Sequence, residues 1–420
     1  MLPESVSRCP AVVLVFVGGR WSMDAAQVRV STLLLDSPRT IVGVRAAEVA
    51  ADVVAAAARM RVPRVLVIAG AGFALRSWSE PLLAALRTFP LHVVTQSGLP
   101  TPESVARLAH AVRAHRADVV VTIGGGSVMD AGKAAAALSV SADPTPQLVV
   151  RMCEDEVGTE DVPPIIALPT TPGTGAEATP FATIWHRDQG RKLSLRGSAL
   201  QPVTAILDPD LLIGLPEAHL VSCLLDTLAQ GLEGAWSIRA DERSEWLGAA
   251  AWSLLAELLD EPHTGLGSAQ RHAALLAGHF AGRAIAIAGT TVCHAISYPL
   301  TLRYGLSHGH ACGLTLASVL RYNALVGDDC TDPRGAARVH GAIDQVVQAA
   351  GVGTIDELAR NIEALVRSPA LPPAPDIRHD ATRIATEALA YDRAGNNPRR
   401  VDGEGLTRLL AGTAERDYAR

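Results

Sequence analysis

A carboxylate, an amide and two imidazoles stand out in the second half of the chain: Asp226 with Gln230, then His294, then His308 followed by His310. Asp226 and Gln230 are four residues apart and share one face of any helix that contains them, while fourteen residues from His294 to His308 leave room for a helix end, a turn and a return. A carboxylate oxygen, an amide oxygen and two ring nitrogens could hold a divalent cation with one position open, which a Lewis acid needs in order to polarise a carbonyl. The chain has 13 histidines, and a lone histidine is more often structural or solvated, so spacing alone leaves both readings open.

Two loops in the first half could bind a phosphorylated ligand. Gly124-Gly125-Gly126-Ser127 follows the apolar run Val119–Ile123 and precedes a helix-favouring stretch with Asp130 and Lys133. Glycines at a strand-to-helix turn let the backbone approach a pyrophosphate, and the exposed N–H groups and the helix dipole stabilise its charge. Three glycines alone are equally compatible with an ordinary turn. The second loop, Leu168 to Glu177, presents the hydroxyls of Thr170, Thr171 and Thr174 among Gly173 and Gly175, again just after a strand-like run. It could be no more than a hydroxyl-rich turn ahead of a helix. Two such loops at one edge of a sheet are harder to dismiss than either alone, because open α/β sheets bind ligands at the C-terminal ends of their strands.

The elements that must position these residues fall into two textures. Val65–Ala69, Leu91–Thr95, Val119–Ile123, Ile165–Leu168 and Ala205–Leu207 are short apolar runs, alternating with Ala46–Arg61, Pro81–Thr88 and Glu103–His115, which favour helix. Continuous apolar strands separated by helices predict a doubly wound parallel sheet covered on both faces. After Asp208-Pro209 the periodicity is helical through Leu220–Ser237, Glu242–Leu259 and Gln270–Ala286. The expected organisation is an α/β dinucleotide-binding domain over residues 1–207, its first 28 residues or so a possible arm, and an all-α domain over 208–420. The stretch Ser368–Asp376, with four prolines, reads as a connection between helices. The glycine turn and the carboxylate–imidazole group are expected to face one crevice.

Composition narrows the partners. Hydrophobic residues are 48% of the 420, charged residues 19%, and the net charge of −6 gives no clustered basic footprint for nucleic acid. A small molecule is the expected partner, and a homodimer the default assembly. Six scattered cysteines suggest neither a structural zinc knot nor a disulfide framework. The apolar run Ala11–Val17 is too short to span a bilayer and has no convincing cleavage site after it, so no membrane association and a cytoplasmic location are expected.

Several segments in order resemble the iron-containing (group III) alcohol dehydrogenase family, whose fold is shared with dehydroquinate synthase: Gly124–Lys133, Ala167–Thr179, Lys192 ahead of Ile206–Leu212, Leu224–Gly234, and His294–Ala311. The resemblance implies that Gly124, Gly125, Gly126, Ser127, Asp130, Thr170, Thr171 and Lys192 contact the dinucleotide, and that Asp226, His294 and His308 ligate a divalent metal, Fe2+ or alternatively Zn2+. Typical members carry histidine four residues after the aspartate, where this chain has Gln230, and many carry a histidine at the position of Tyr298. Within the family, Leu232–Ser244, Gly282–Thr301 and Asn396–Val401 look most like the branch that reduces 2-phosphonoacetaldehyde to 2-hydroxyethylphosphonate.

That resemblance implies reduction of a small aldehyde, with the carbonyl oxygen on the cation and the final proton from water, a ribose hydroxyl, Tyr298 or His310. A phosphonate needs basic partners, for which Arg283, Arg303 and Arg196 are candidates, although any one of them could simply face solvent. The turn at Gly70 presents only small residues where NAD-preferring relatives present an acid, so NADPH is expected in preference to NADH. The rival readings are a general short-chain alcohol or diol dehydrogenase, a dehydroquinate-synthase-like lyase that retains its NAD, and a nucleotide-binding protein without a metal.

Overall fold

Both faces of the central strands are apolar because both are covered. The computed structural model describes residues 14–17, 20–23, 38–154, 161–259 and 265–412. The first strands, β1 (Leu14–Val17) and β2 (Arg20–Met23), form a separate two-stranded sheet; the rest of the expected arm lies outside the described residues. Then come β3 (Arg39–Val42), β4 (Val65–Gly70), β5 (Leu91–Gln96), β6 (Val119–Gly124), β7 (Ile165–Pro169), the hairpin β8 (Phe181–His186) with β9 (Arg191–Arg196), and β10 (Thr204–Leu207). Six of them make one parallel sheet in the order β3-β10-β7-β6-β4-β5.

The helices of this unit are α1 (Ala46–Ala58), α2 (Ser79–Leu86), α3 (Pro102–His115), α4 (Gly126–Leu138) and α5 (Pro146–Met152). Leu66, Ile68 and Val120 pack with Leu108 of α3 and Ala134 of α4 on one side of the sheet, whereas Val65, Val67, Val119 and Val121 pack with Val53 of α1 and Leu86 of α2 on the other. Truncating a buried leucine such as Leu66 or Leu108 to alanine is worth about 2–5 kcal/mol in such a core. Strand β5, at the sheet edge, breaks the apolar rule with exposed His92 and Thr95. Close packing also demands Gly132, since a Cβ there would lie 2.3 Å from Thr122 Cγ2.

Register brings the two ligand-type loops together: Gly124 pairs with Pro169 across the β6–β7 ladder, and Thr170 N donates to Gly124 O at 3.0 Å.

The second unit is helical: α6 (Glu217–Trp236), α7 (Glu242–Leu255), α8 (Ser268–Ala288), α9 (Val292–Tyr304), α10 (His308–Ala324), α11 (Ala336–Ala349), α12 (Ile355–Val366), α13 (Ala381–Leu389) and α14 (Gly403–Gly412). Helix α6 is buried along most of its length, packed by α7, α8 and α10. The proline-bearing stretch lies between α12 and α13, as expected.

The division between the units falls after Leu215, later than the expected 207/208, and Pro172–Thr174 group with the helical unit. The cause is local bonding: Asp208 accepts from Ala46 N at 2.6 Å and from Asp210 N at 2.9 Å, which ties the segment after β10 to the sheet. Pro172 in turn accepts from Thr227 Oγ1 at 2.8 Å. No single helix among the described residues is long and apolar enough to cross a membrane.

Candidate active site

Three helices of the second unit converge on one cluster. Asp226 sits on the buried face of α6, with Gln230 one turn on and Glu233 nearly another. His294 lies in the first turn of α9, and His308 opens α10, with Cys312 one turn beyond it. The approach of α10 to α6 depends on Gly309, because a Cβ there would stand 1.8 Å from Ser222 O. Only glycine lets the backbones meet so closely, and that contact carries His308 to Asp226.

Within the cluster His294 Nε2 is 3.4 Å and His308 Nε2 3.9 Å from Asp226 Oδ1, and Cys312 Sγ is 3.9 Å from His308 Nε2. One ligand atom each from Asp226, His294, His308 and Cys312 all lie within 4.8 Å of one another. Asp226 Oδ1 and Gln230 Oε1 are buried without a hydrogen-bond partner. Buried polar oxygens are ordinarily satisfied, and two orphaned acceptors beside two imidazoles and a thiol fit a divalent cation.

The surroundings fix how the ligands point. Fully buried Glu233 faces His294 Nδ1 with Oε2, and its Oε1 accepts from Thr291 Oγ1 at 2.7 Å and Cys293 N at 2.8 Å. Ser297 Oγ donates to His294 O at 2.7 Å and so is left to accept from His308 Nδ1 at 3.4 Å. Both rings thereby keep Nε2 free for a ligand bond, the arrangement in which a carboxylate or hydroxyl behind a histidine sets its tautomer.

Charge coupling in the cluster is strong. Burial alone would lower the pKa of His294, but the neighbouring Cys312 and Glu233 raise it well above the usual imidazole range. Burial likewise opposes the Cys312 thiolate, yet His294 and His308 bring the thiol down to about 7. Burial works against the charge of Asp226 too, and the two histidines hold its carboxyl below the usual range. The thiol was not singled out by the sequence reading, although its four-residue spacing from His308 on a helix was a usable signal.

Tyr298 stacks on His308, with ring centroids 6.0 Å apart and planes 6° apart, and its hydroxyl accepts from Arg393 Nη1. Burial raises its pKa, so it stays protonated. His310 is fully buried with neither ring nitrogen partnered; burial lowers its pKa, and it stands outside the four-ligand cluster.

In the first unit, the glycine loop caps α4. Gly125 is the residue before the helix, and a Cβ on it would lie 3.0 Å from Thr171 Oγ1, so loop backbone and threonine hydroxyl share one cradle. Asp130 Oδ2 accepts from Thr183 N at 2.9 Å, and Lys133 Nζ donates to Phe181 O at 2.7 Å; together they brace α4 against the hairpin β8–β9. Lys192, on β9, is buried and donates to Ser194 Oγ at 2.7 Å. Gly70 ends β4, while Thr174 falls in the second unit. Of the three arginines, Arg303 pairs with Glu387 at 2.6 Å, Arg196 is exposed at the end of β9, and Arg283 is half-buried on α8.

Comparison with known proteins assigns both halves. The model of the family described as iron-containing alcohol dehydrogenase matches residues 37–209, and that of the C-terminal part of the Fe-containing alcohol dehydrogenase family matches 220–413. The chain is 47% identical to the phosphonoacetaldehyde reductase of Streptomyces viridochromogenes, over 84% of this chain and 91% of that one. It is 31% identical to the 1-propanol dehydrogenase PduQ of Citrobacter freundii, over 81% and 90%. Among solved structures, the sulfoacetaldehyde reductase of Bifidobacterium kashiwanohense in complex with NAD+ superposes with a TM-score of 0.74 at 26% identity, covering 91% of this chain and 98% of that one.

Proposed function

The chain belongs to the iron-containing alcohol dehydrogenase family, and from that premise we propose that it reduces 2-phosphonoacetaldehyde to 2-hydroxyethylphosphonate. It is an oxidoreductase that works with a divalent metal and a nicotinamide cofactor on a small aldehyde or alcohol. The observation that carries the substrate is the 47% identity to the phosphonoacetaldehyde reductase, against 31% to the propanol dehydrogenase over a similar span.

When bound, the cofactor supplies the hydride and the cation polarises the carbonyl oxygen. Asp226, His294 and His308 would hold the cation, with Cys312 Sγ in the same cluster and the unpartnered Oε1 of Gln230, whose side chain meets Asp226, as the further donors. Glu233 and Ser297 keep the imidazoles aimed. The backbone of Gly124, Gly125, Gly126 and Ser127 would receive the pyrophosphate at the start of α4, with Thr170 and Thr171 beside it. Tyr298, kept protonated by burial, is the proposed source of the proton that completes the alcohol. The adjacent ends of β4 and β5, Gly70 and Gln96, carry no carboxylate that would repel a 2′-phosphate, so NADPH is the proposed cofactor, with NADH as the alternative. A homodimer is the proposed assembly.

Oxidation of NADPH or NADH with phosphonoacetaldehyde, propanal and lactaldehyde tests the substrate. One or two charged hydrogen bonds to a phosphonate favour phosphonoacetaldehyde in kcat/KM by about tenfold to a hundredfold or more. Equal kcat/KM for the three aldehydes would leave a general short-chain reductase instead. Coordination by Cys312 has its own readout: the cobalt(II)-loaded protein should show a thiolate-to-cobalt charge-transfer band in the near ultraviolet, and Cys312→Ser should lose it. An unchanged spectrum would place the sulfur outside the coordination set.

A further inference from the structure

Arg393 of the helical unit differs from the arginines that line its ion pairs in what it lacks. Arg303, Arg321, Arg334, Arg338 and Arg399 each meet a carboxylate. Arg393 is half-buried in the turn Asp392–Asn396, and among the described residues it pairs with no acid. Its Nη1 donates to Tyr298 Oη and, at 3.1 Å, to Thr290 Oγ1, and its guanidinium carbon lies 5.2 Å from the Tyr298 ring centroid. Because that ring stacks on His308, one aromatic side chain separates the guanidinium from the cluster. The exposed Arg239, which likewise pairs with no acid among the described residues, lies nearby: a methyl group on Gly289 would lie 3.9 Å from Arg239 Nη1 and 3.1 Å from Asn396 Nδ2.

A half-buried cation held by two hydroxyls, with no acid against it among the described residues, keeps donors for an anion from outside. Guanidinium is the side chain whose fork matches the oxygens of a phosphonate or sulfonate. We infer that Arg393, with Arg239 near Gly289, is the subsite for the anionic head of the substrate, and that it sets the preference for a charged over an uncharged aldehyde. This inference rests on the substrate proposed above. It takes the anchoring role from Arg303, which Glu387 already neutralises.

The test reads a ratio: kcat/KM for phosphonoacetaldehyde over kcat/KM for propanal, in wild type, Arg393→Ala, Arg393→Lys and, as a surface control, Arg383→Ala. Arg393→Ala should lower that ratio by about tenfold to a hundredfold, carried by KM for the phosphonate, with Arg393→Lys restoring part of it and Arg383→Ala leaving it alone. Phosphonoacetate, an unreactive probe, should bind the wild type and bind Arg393→Ala correspondingly more weakly by calorimetry. If both aldehydes suffer equally in Arg393→Ala while the wild type discriminates between them, Arg393 merely positions Tyr298 and the subsite is refuted. If the wild type does not discriminate and phosphonoacetate does not bind, the substrate itself is wrong, and the subsite falls with it.

Discussion

His308→Ala is expected to strip the purified protein of its divalent metal and to slow aldehyde reduction by about a thousandfold. The size follows from the several kcal/mol of charge stabilisation that a metal contributes to a carbonyl reduction, at about 1.4 kcal/mol for each tenfold in rate. The direction follows from the geometry. His308 is presented by the start of α10, its Nδ1 is engaged by Ser297, and its Nε2 stands 3.9 Å from the orphaned Asp226 oxygen. Alanine leaves Asp226, His294 and Cys312 without one of the imidazoles that make the cluster. His310→Ala, two residues on and outside the cluster, should retain the metal. Elemental analysis of the two variants separates them, and a full complement of metal in His308→Ala would remove this residue from the coordination set.

That pair also shows what spacing in a sequence conveys and what it does not. Asp226 and Gln230 were legible as one face of a helix because four residues fix their relation whatever the surroundings. The relation of His294 to His308 was not, since most of α9 and a turn lie between them, and only packing settles where α10 begins. The sheet was read from the runs that became β4, β5, β6, β7 and β10, most plainly from β4 and β7, whose apolar runs need cover on both faces. Strand β3 and the hairpin β8–β9 carry charged and polar residues among the apolar ones and fell below that signal. Cys312 and Arg393 were passed over for another reason. A single thiol or guanidinium has a meaning set by what stands next to it, and their neighbours come from other helices and turns.

The same holds for Glu233, which on a helix reads as an ordinary acid, and the effect of altering it should be second only to that of a metal ligand. Glu233→Gln is expected to weaken metal binding by about tenfold to a hundredfold, as loss of a carboxylate behind a metal-binding histidine typically does. Three donors besides the imidazole converge on this fully buried carboxylate: Thr291 Oγ1 at 2.7 Å, Cys293 N at 2.8 Å and His294 N at 3.3 Å. Two of them are backbone N–H groups of the first turn of α9, so the negative charge both caps that helix end and aims His294 Nε2 at the cluster. Glutamine can keep its carbonyl oxygen in the place of Oε1 and accept these three bonds, but it loses the charge, and an amide nitrogen in the place of Oε2 cannot accept from His294 Nδ1. Competition against a chelator should report the weaker affinity, and saturating metal should restore much of the lost rate, which a mere failure to fold would not allow. Wild-type affinity in Glu233→Gln would mean that His294 needs no carboxylate behind it, and that Glu233 serves the helix end alone.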